Sequence, residues 1–272
     1  MNASAEPLDD QLPSDAEVVP LQTFTPAPAG EPFGDKRALV FGGTGKTGSE
    51  IVKQLQGEGV FASVFARSTK KANEMFKSEI EAEGVDVYEG DVSRYEDVTK
   101  AVESSGCNII FIATGTRAAL DPLGPFSVDY NGTCNIVAAA KKQGQVKHIV
   151  LVTSIGVDDI LFPLNLFWGV LFWKKRAEED LQRSGIKYTI VRPGGLLDEP
   201  RSGTSASAMA IRMGGPDAYG LPPRKTPGSI LRSQVAEVCV QSLIQEDAFN
   251  KTVEIVTEEG DVIPLAEQFG SI

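Results

Sequence analysis

Gly42, Gly45 and Gly48 stand in a G-x-x-G-x-x-G spacing within residues 37–49, RALVFGGTGKTGS. Glycines so placed let the backbone turn sharply, let an anion approach the main chain, and let a following helix pack closely on the strand before it. The ligand that suits such a turn is a pyrophosphate, met by free N–H groups and by the positive end of the helix dipole. Two other readings compete. Gly45-Lys46-Thr47 has the ending of a Walker A loop, but Val40 stands where that loop needs its first glycine, inside an apolar run that reads as a strand. The third reading is a glycine-rich turn with no ligand.

The next residues able to do chemistry lie at strand ends, so the elements that position them come next. Residues 38–41 form the first strand, and Ile51, Val52 and Leu55 begin a helix that runs to about Gln56 and stops at Gly57 and Gly59. A second strand over 61–66 ends at Arg67-Ser68. In a dinucleotide fold this end meets the adenosine ribose, and an acid there holds the 2′-hydroxyl of NAD. No acid occurs before Glu74; the place offers Arg67, with Lys70 and Lys71 beside it. A cation matches a 2′-phosphate, which favours NADP over NAD; the plainer reading is a charged loop residue.

An amphipathic helix is expected over 70–82 and a third strand over 85–88, ending at Gly90-Asp91-Val92. Asp91 could accept from an adenine amino group or favour the next helix start by its charge. Ser93 and Glu96 have capping-box spacing for a helix to about Ser105. The wholly apolar run 108–113 reads as a strand buried on both faces, ending at Thr114-Gly115. A helix over 126–142 and a strand over 149–152, ending at Thr153-Ser154, follow. His148, beside Lys147, reads as a surface residue at strand entry.

Residues 160–173 are the most hydrophobic stretch. They are too short to span a bilayer and contain Pro163 and Asn165. Buried packing or a wall of a substrate pocket is expected, with contact to a membrane surface or a partner protein as the alternative. A helix then runs to 184–185, a strand over 188–192 closes at Pro193-Gly194-Gly195, residues 198–229 read as substrate-side loops, and a helix (234–244) and strand (253–257) finish the chain. The repeated strand–helix alternation predicts an α/β fold: one Rossmann-like, doubly wound parallel sheet with helices on both faces and a small irregular C-terminal region.

The 272 residues suit one such domain over 35–272. Residues 1–34 lack Lys and Arg, are rich in Pro, Ala and acids, and read as a disordered tail with neither signal-peptide nor transit-peptide character. The net charge of −11 argues against nucleic acid as a partner. Cys107, Cys134 and Cys239 show no C-x-x-C and no pairing pattern, so no metal site and a reducing compartment are expected.

Taken in order, the stretches 40–48, Arg67, Gly90-Asp91-Val92, Ala113-Thr114-Gly115, Val152-Thr153-Ser154, 173–178 (WKKRAE), 188–196 (YTIVRPGGL) and Val235-Ala236-Glu237 resemble an atypical short-chain dehydrogenase/reductase of the NmrA-like, NAD(P)-binding kind. Within it they are similar to the plant, algal and cyanobacterial group that includes an NADP-binding subunit associated with the chloroplast import translocon. The resemblance covers about 37–258. It implies a pyrophosphate on Gly42, Thr44, Gly45, Lys46, Thr47 and Gly48, a 2′-phosphate at Arg67, and adenine near Asp91 and Val92. It places ribose and nicotinamide near Ala113, Thr114, Gly115, Thr153, Ser154 and Pro193, Gly194, Gly195 and Leu196. It also implies plastid residence; the sequence suits a stroma or a cytoplasm equally.

Active members of this superfamily use a tyrosine as proton donor and a lysine four residues later. Aligned by eye on Ala177-Glu178, those positions hold Phe172 and Arg176, and no Y-x-x-x-K occurs in the chain. Phenylalanine cannot donate a proton. Ser154 remains to orient a substrate carbonyl, and Lys174 or Lys175 to contact the ribose. Two functions follow: an NADP(H)-dependent oxidoreductase with a degenerate catalytic pair and an unidentified small-molecule substrate, or a non-catalytic module whose NADP occupancy alters a protein or membrane partner.

Overall fold

Strand β1 (Arg37–Phe41) alternates its side chains between two apolar cores: Ala38 and Val40 belong to one, Leu39 and Phe41 to the other. A strand buried on both faces reads as a continuous apolar run, and the layers follow from that. The computed structural model describes residues 31–116, 121–200, 209–220 and 228–272, with Thr25. The tail expected over 1–34 therefore lies largely outside the described residues, as do 201–208 and 221–227 of the expected loops.

The remaining strands are β2 (Phe61–Ala66), β3 (Val85–Glu89), β4 (Ile109–Ile112), β5 (His148–Val152), β6 (Lys187–Pro193), β7 (Gly195–Leu197), β8 (Met209–Gly214), β9 (Ser229–Leu231) and β10 (Lys251–Glu259). The main sheet has eight strands in the order β3-β2-β1-β4-β5-β6-β10-β8, all parallel except β8, which runs antiparallel to β10. One face carries α1 (Lys46–Gly57) and α7 (Arg232–Gln241); the other carries α4 (Tyr95–Ser105), α5 (Thr133–Gln143) and α6 (Val170–Gln182). This is the Rossmann-like doubly wound arrangement. Chain order reverses between β1 and β4, which opens a crevice at the strands' carboxyl ends.

Five local expectations are corrected. The helix expected over 70–82 is two, α2 (Thr69–Met75) and α3 (Lys77–Glu81), broken where Phe76 turns into the core with φ −115°. Helix α4 starts at Tyr95 without a side-chain cap, because the Ser93 hydroxyl donates to Asp91 Oδ1 at 2.8 Å instead. The helix expected over 126–142 begins as a π-helix, Pro125–Gly132, before α5.

His148 is buried rather than on the surface: its ring meets Thr189 Oγ1 at 3.0 Å and stands edge-on to Phe249. Burial, with Lys187 and Lys36 adding repulsion, pushes its pKa down to about 4. The apolar stretch over 160–173 is only partly packed. Phe162 and Leu164 face a pocket, while Ile160, Leu161, Leu166, Phe167 and Trp168 are exposed. Among the described residues no helix is long and apolar enough to cross a membrane.

Candidate functional site

The glycine turn lies at the mouth of the β1/β4 crevice. Gly42 has φ +83°, and a Cβ there would stand 2.6 Å from the Ala113 carbonyl oxygen; a Cβ on Gly48 would stand 2.2 Å from that of Gly42. Neither position has room for a side chain, so the strand, the turn and α1 close on one another through bare backbone. Gly45 N–H donates to Gly42 O at 2.9 Å and Gly45 caps α1, whose first turn carries no acid and whose cap offers no side-chain acceptor. The leading N–H groups of a twelve-residue helix are thus aimed into the crevice without a built-in anion.

A cleft of about 580 Å³ opens there. Gly42, Thr44, Gly45, Arg67, Asp91, Val92, Ala113, Thr114 and Gly115 line it, joining strand ends far apart in sequence. So does Lys71, which sequence reasoning named only as a neighbour of Arg67. Ser68 caps α2 by accepting from Lys71 N–H at 3.3 Å, and Lys71 Nζ then reaches the Thr44 carbonyl at 2.7 Å. Helix α2 therefore brings a second cation beside Arg67. Burial pushes the Asp91 carboxyl up, but the Ser93 N–H, the Ser93 hydroxyl, Arg67 and Arg94 outweigh it and hold it below the usual carboxylate range.

Lys46 departs from its expected place. Its Nζ lies 2.5 Å from Asp198 Oδ2, and Asp198 Oδ1 in turn meets Arg232 at 2.5 Å. The exposed ammonium is drawn across to the carboxylate after β7, so only its backbone stays with the turn. Thr47 and Gly48 likewise shape α1 without lining the cleft.

Lys174 does face inward. Its Nζ sits 2.5 Å from Asp129 Oδ1, a carboxylate with no exposed surface, while Asp129 Oδ2 accepts from the Thr116 hydroxyl at 2.6 Å and its N–H at 3.3 Å. The π-helix carries Asp129 to this point, beneath Gly115. Arg176, aligned by eye with the catalytic lysine, turns outward to Glu179. Counting four back from Lys174 gives Val170, so this register also lacks a phenol. Tyr130 lies against Trp173, ring centroids 5.5 Å apart, with its hydroxyl hydrogen-bonded to Asp180.

A second pocket, of about 380 Å³, opens at the ends of β5 and β6. Thr153, Ser154, Pro193, Gly194, Gly195 and Leu196, which the resemblance sets against ribose and nicotinamide, line this second pocket and not the cleft of the glycine turn, joined by Phe162 and Leu164. Beneath it is a buried charge network that sequence reasoning missed. Arg192 Nε and Nη2 meet Glu178 at 3.0 and 2.6 Å, Nη1 meets Glu254 at 3.3 Å and also Asp158, and the Thr153 hydroxyl donates to Glu178 at 2.6 Å. An arginine and a glutamate inside two otherwise apolar strand runs were the available signal, since such charges stay buried only when paired. Among the described residues no cluster of His, Cys, Asp or Glu could hold a metal.

A family model described as NAD(P)H-binding matches residues 42–246. A chloroplastic protein of Arabidopsis thaliana, At2g34460, is 38% identical over 232 residues, covering 81% of this chain and 76% of its own. The chloroplastic protein TIC 62 of Oryza sativa subsp. japonica is 34% identical over 254 residues, 86% of this chain; the match spans 49% of that relative's length. Among solved structures, a Bacillus halodurans protein named for NAD-dependent epimerase/dehydratases superposes with a TM-score of 0.71 at 25% identity, covering 87% of this chain and all of that one.

Proposed function

The chain belongs to the NAD(P)H-binding family, and on that footing we propose that residues 35–272 form an NADP(H)-preferring reductase that works without a tyrosine donor. The observation that carries the cofactor preference is the pair Arg67 and Lys71, both lining the cleft where β2 ends. Two cations suit a 2′-phosphate dianion, and no acid stands between Ala66 and Lys71 to take a 2′-hydroxyl. The glycine cradle, which a Cβ at 42 or 48 would fill, fits a pyrophosphate.

In this reading Gly42, Thr44 and Gly45 hold the phosphates by backbone, Thr47 and Gly48 form the helix start behind them, Asp91 and Val92 border the adenine, and Ala113, Thr114 and Gly115 border the nicotinamide ribose. Asp129 fixes the Lys174 ammonium under Gly115, where it can hold a ribose hydroxyl. Ser154, at the end of β5, presents its hydroxyl to the acceptor. When bound, the dinucleotide supplies the hydride; the proton comes from Ser154 or from water it orders. The chloroplastic names of the relatives support a plastid location.

A second reading, a non-catalytic module that docks a partner or a membrane according to NADP occupancy, is favoured by the exposed apolar side chains at Ile160, Leu161, Leu166, Phe167 and Trp168. Calorimetric titration with NADPH and NADH tests the cofactor preference. NADPH is expected to bind at least tenfold tighter, and Arg67→Ala to lose about 1.5–3 kcal/mol for NADPH alone, the range for a charged hydrogen bond. Equal affinities in the unaltered protein would refute it.

A further inference from the structure

The pocket at the β5 and β6 ends differs from the nucleotide cleft in what it can offer a ligand. Among its described lining residues none carries a charge. Four of its backbone donors are already used. Thr153 N–H donates to Val191 O at 2.9 Å, Ile155 N–H to Pro193 O at 3.1 Å, Gly194 N–H to Ile255 O at 2.9 Å and Gly195 N–H to Gly228 O at 2.8 Å. Of its two side-chain hydroxyls, Thr153 is committed to Glu178 at 2.6 Å. Ser154 donates only to the carbonyl of the adjacent Ile155, at 3.0 Å, and a rotation about one bond frees it.

Among side chains, a ligand entering here therefore meets one available hydroxyl and walls of Ile155, Phe162, Leu164 and Leu196. A sugar would bring several hydroxyls to a wall with one side-chain partner, and a carboxylate would be desolvated without a cationic side chain. Ile160, Leu161 and Phe167, neighbours in sequence of Phe162 and Leu164, are exposed. We propose that this pocket takes an uncharged, largely hydrocarbon ligand bearing one carbonyl-type acceptor, which the Ser154 hydroxyl meets while the chain lies along Phe162, Leu164 and Leu196. The inference rests on the reductase reading only in taking this ligand to be the hydride acceptor.

The test is binding, by calorimetry, to full-length protein saturated with NADP⁺, which cannot reduce the probe. The probes are methyl nonyl ketone, undecanoate of the same carbon count, and UDP-glucose. The ketone is expected to bind at least about tenfold tighter than the other two, given the cost of burying unpaired polar groups. Leu164→Asp is expected to weaken the ketone at least about fivefold by placing a carboxylate in the apolar wall, with NADP⁺ affinity unchanged. Leu164 is 42% exposed, so the substitution spares the core; Leu196→Asp, at a site 38% exposed, is the second variant. Undecanoate or UDP-glucose binding as tightly as the ketone, no ketone binding, or ketone binding indifferent to both variants would each overturn the inference. Failure to bind NADP⁺ would overturn the reductase reading instead, and the same three probes applied to the dinucleotide-free chain would still decide the pocket's ligand class.

Discussion

The two cavities at the carboxyl edge of the sheet are built by opposite means. The nucleotide cleft is polar and charged: Gly42 and Gly48 have no room for a side chain, α1 presents its N–H groups, Arg67 and Lys71 add positive charge at the end of β2, and Asp91 and Asp121 add carboxylates beyond it. The acceptor pocket is made of apolar side chains over a floor whose charges are spent on one another, Arg192 against Glu178, Glu254 and Asp158. The first recognises an anion of fixed shape. The second offers apolar walls and one available side-chain hydroxyl. The proposed hydride transfer would use both, the first to hold the donor and the second to receive the acceptor.

The contrast breaks most completely at Gly48. Gly48→Ala would drive a Cβ to 2.2 Å from the Gly42 carbonyl oxygen and separate α1 from its strand. NADPH affinity is expected to fall by at least about 100-fold, the order of loss that an ångström of misplacement produces, with the ketone site of the dinucleotide-free protein retained. Fluorescence titration of NADPH checks this; near-normal affinity would contradict the role of the cradle.

On the acceptor side, Arg192→Met leaves Glu178 and Glu254, which are 0% and 1% exposed, without their cation. Breaking a buried pair from one side costs about 3–5 kcal/mol, which urea denaturation would read as a lower midpoint. A change below about 1 kcal/mol, the scale of a surface pair, would mean that the network is solvated.

A smaller effect comes from His148, at the opposite end of β5. Its pKa falls from 6.5 to about 4 on folding, so the unfolded chain binds the proton more readily. The stability that a neutral His148 contributes is full above about pH 6.5 and is lost as pH falls toward 4, reaching roughly 3 kcal/mol at about 1.4 per unit. His148→Gln should flatten the stability profile over that window, followed by denaturation at a series of pH values. An unchanged slope would place the titration elsewhere.

How far each half could be read from sequence follows from the same contrast. The glycine turn, Arg67 and the strand ends at Asp91 and Gly115 were legible because backbone sterics and strand-end position are local properties. Lys71 needed only the recognition that Ser68 caps a helix whose first turn points back at the turn. Asp129 was not legible, because it reaches Lys174 and Thr116 only through π-helical winding, which a 3.6-residue period does not reveal. Phe162 and Leu164 lie in a stretch without period, so nothing local separated the residues that wall the pocket from those that stay exposed. His148 is buried by Phe249, a contact between distant parts of the chain.

The claim that recognition resides in the nucleotide half is tested most directly with ligands that lack nicotinamide. Calorimetric titration of the protein with ADP-ribose and with its 2′-phosphate isolates Arg67 and Lys71 from the acceptor pocket altogether. The predicted result is tighter binding of the 2′-phosphate by about 1.5–3 kcal/mol, abolished in Arg67→Ala and untouched in Leu164→Asp. Equal binding of the two ligands, or a preference that survives Arg67→Ala, would contradict the account.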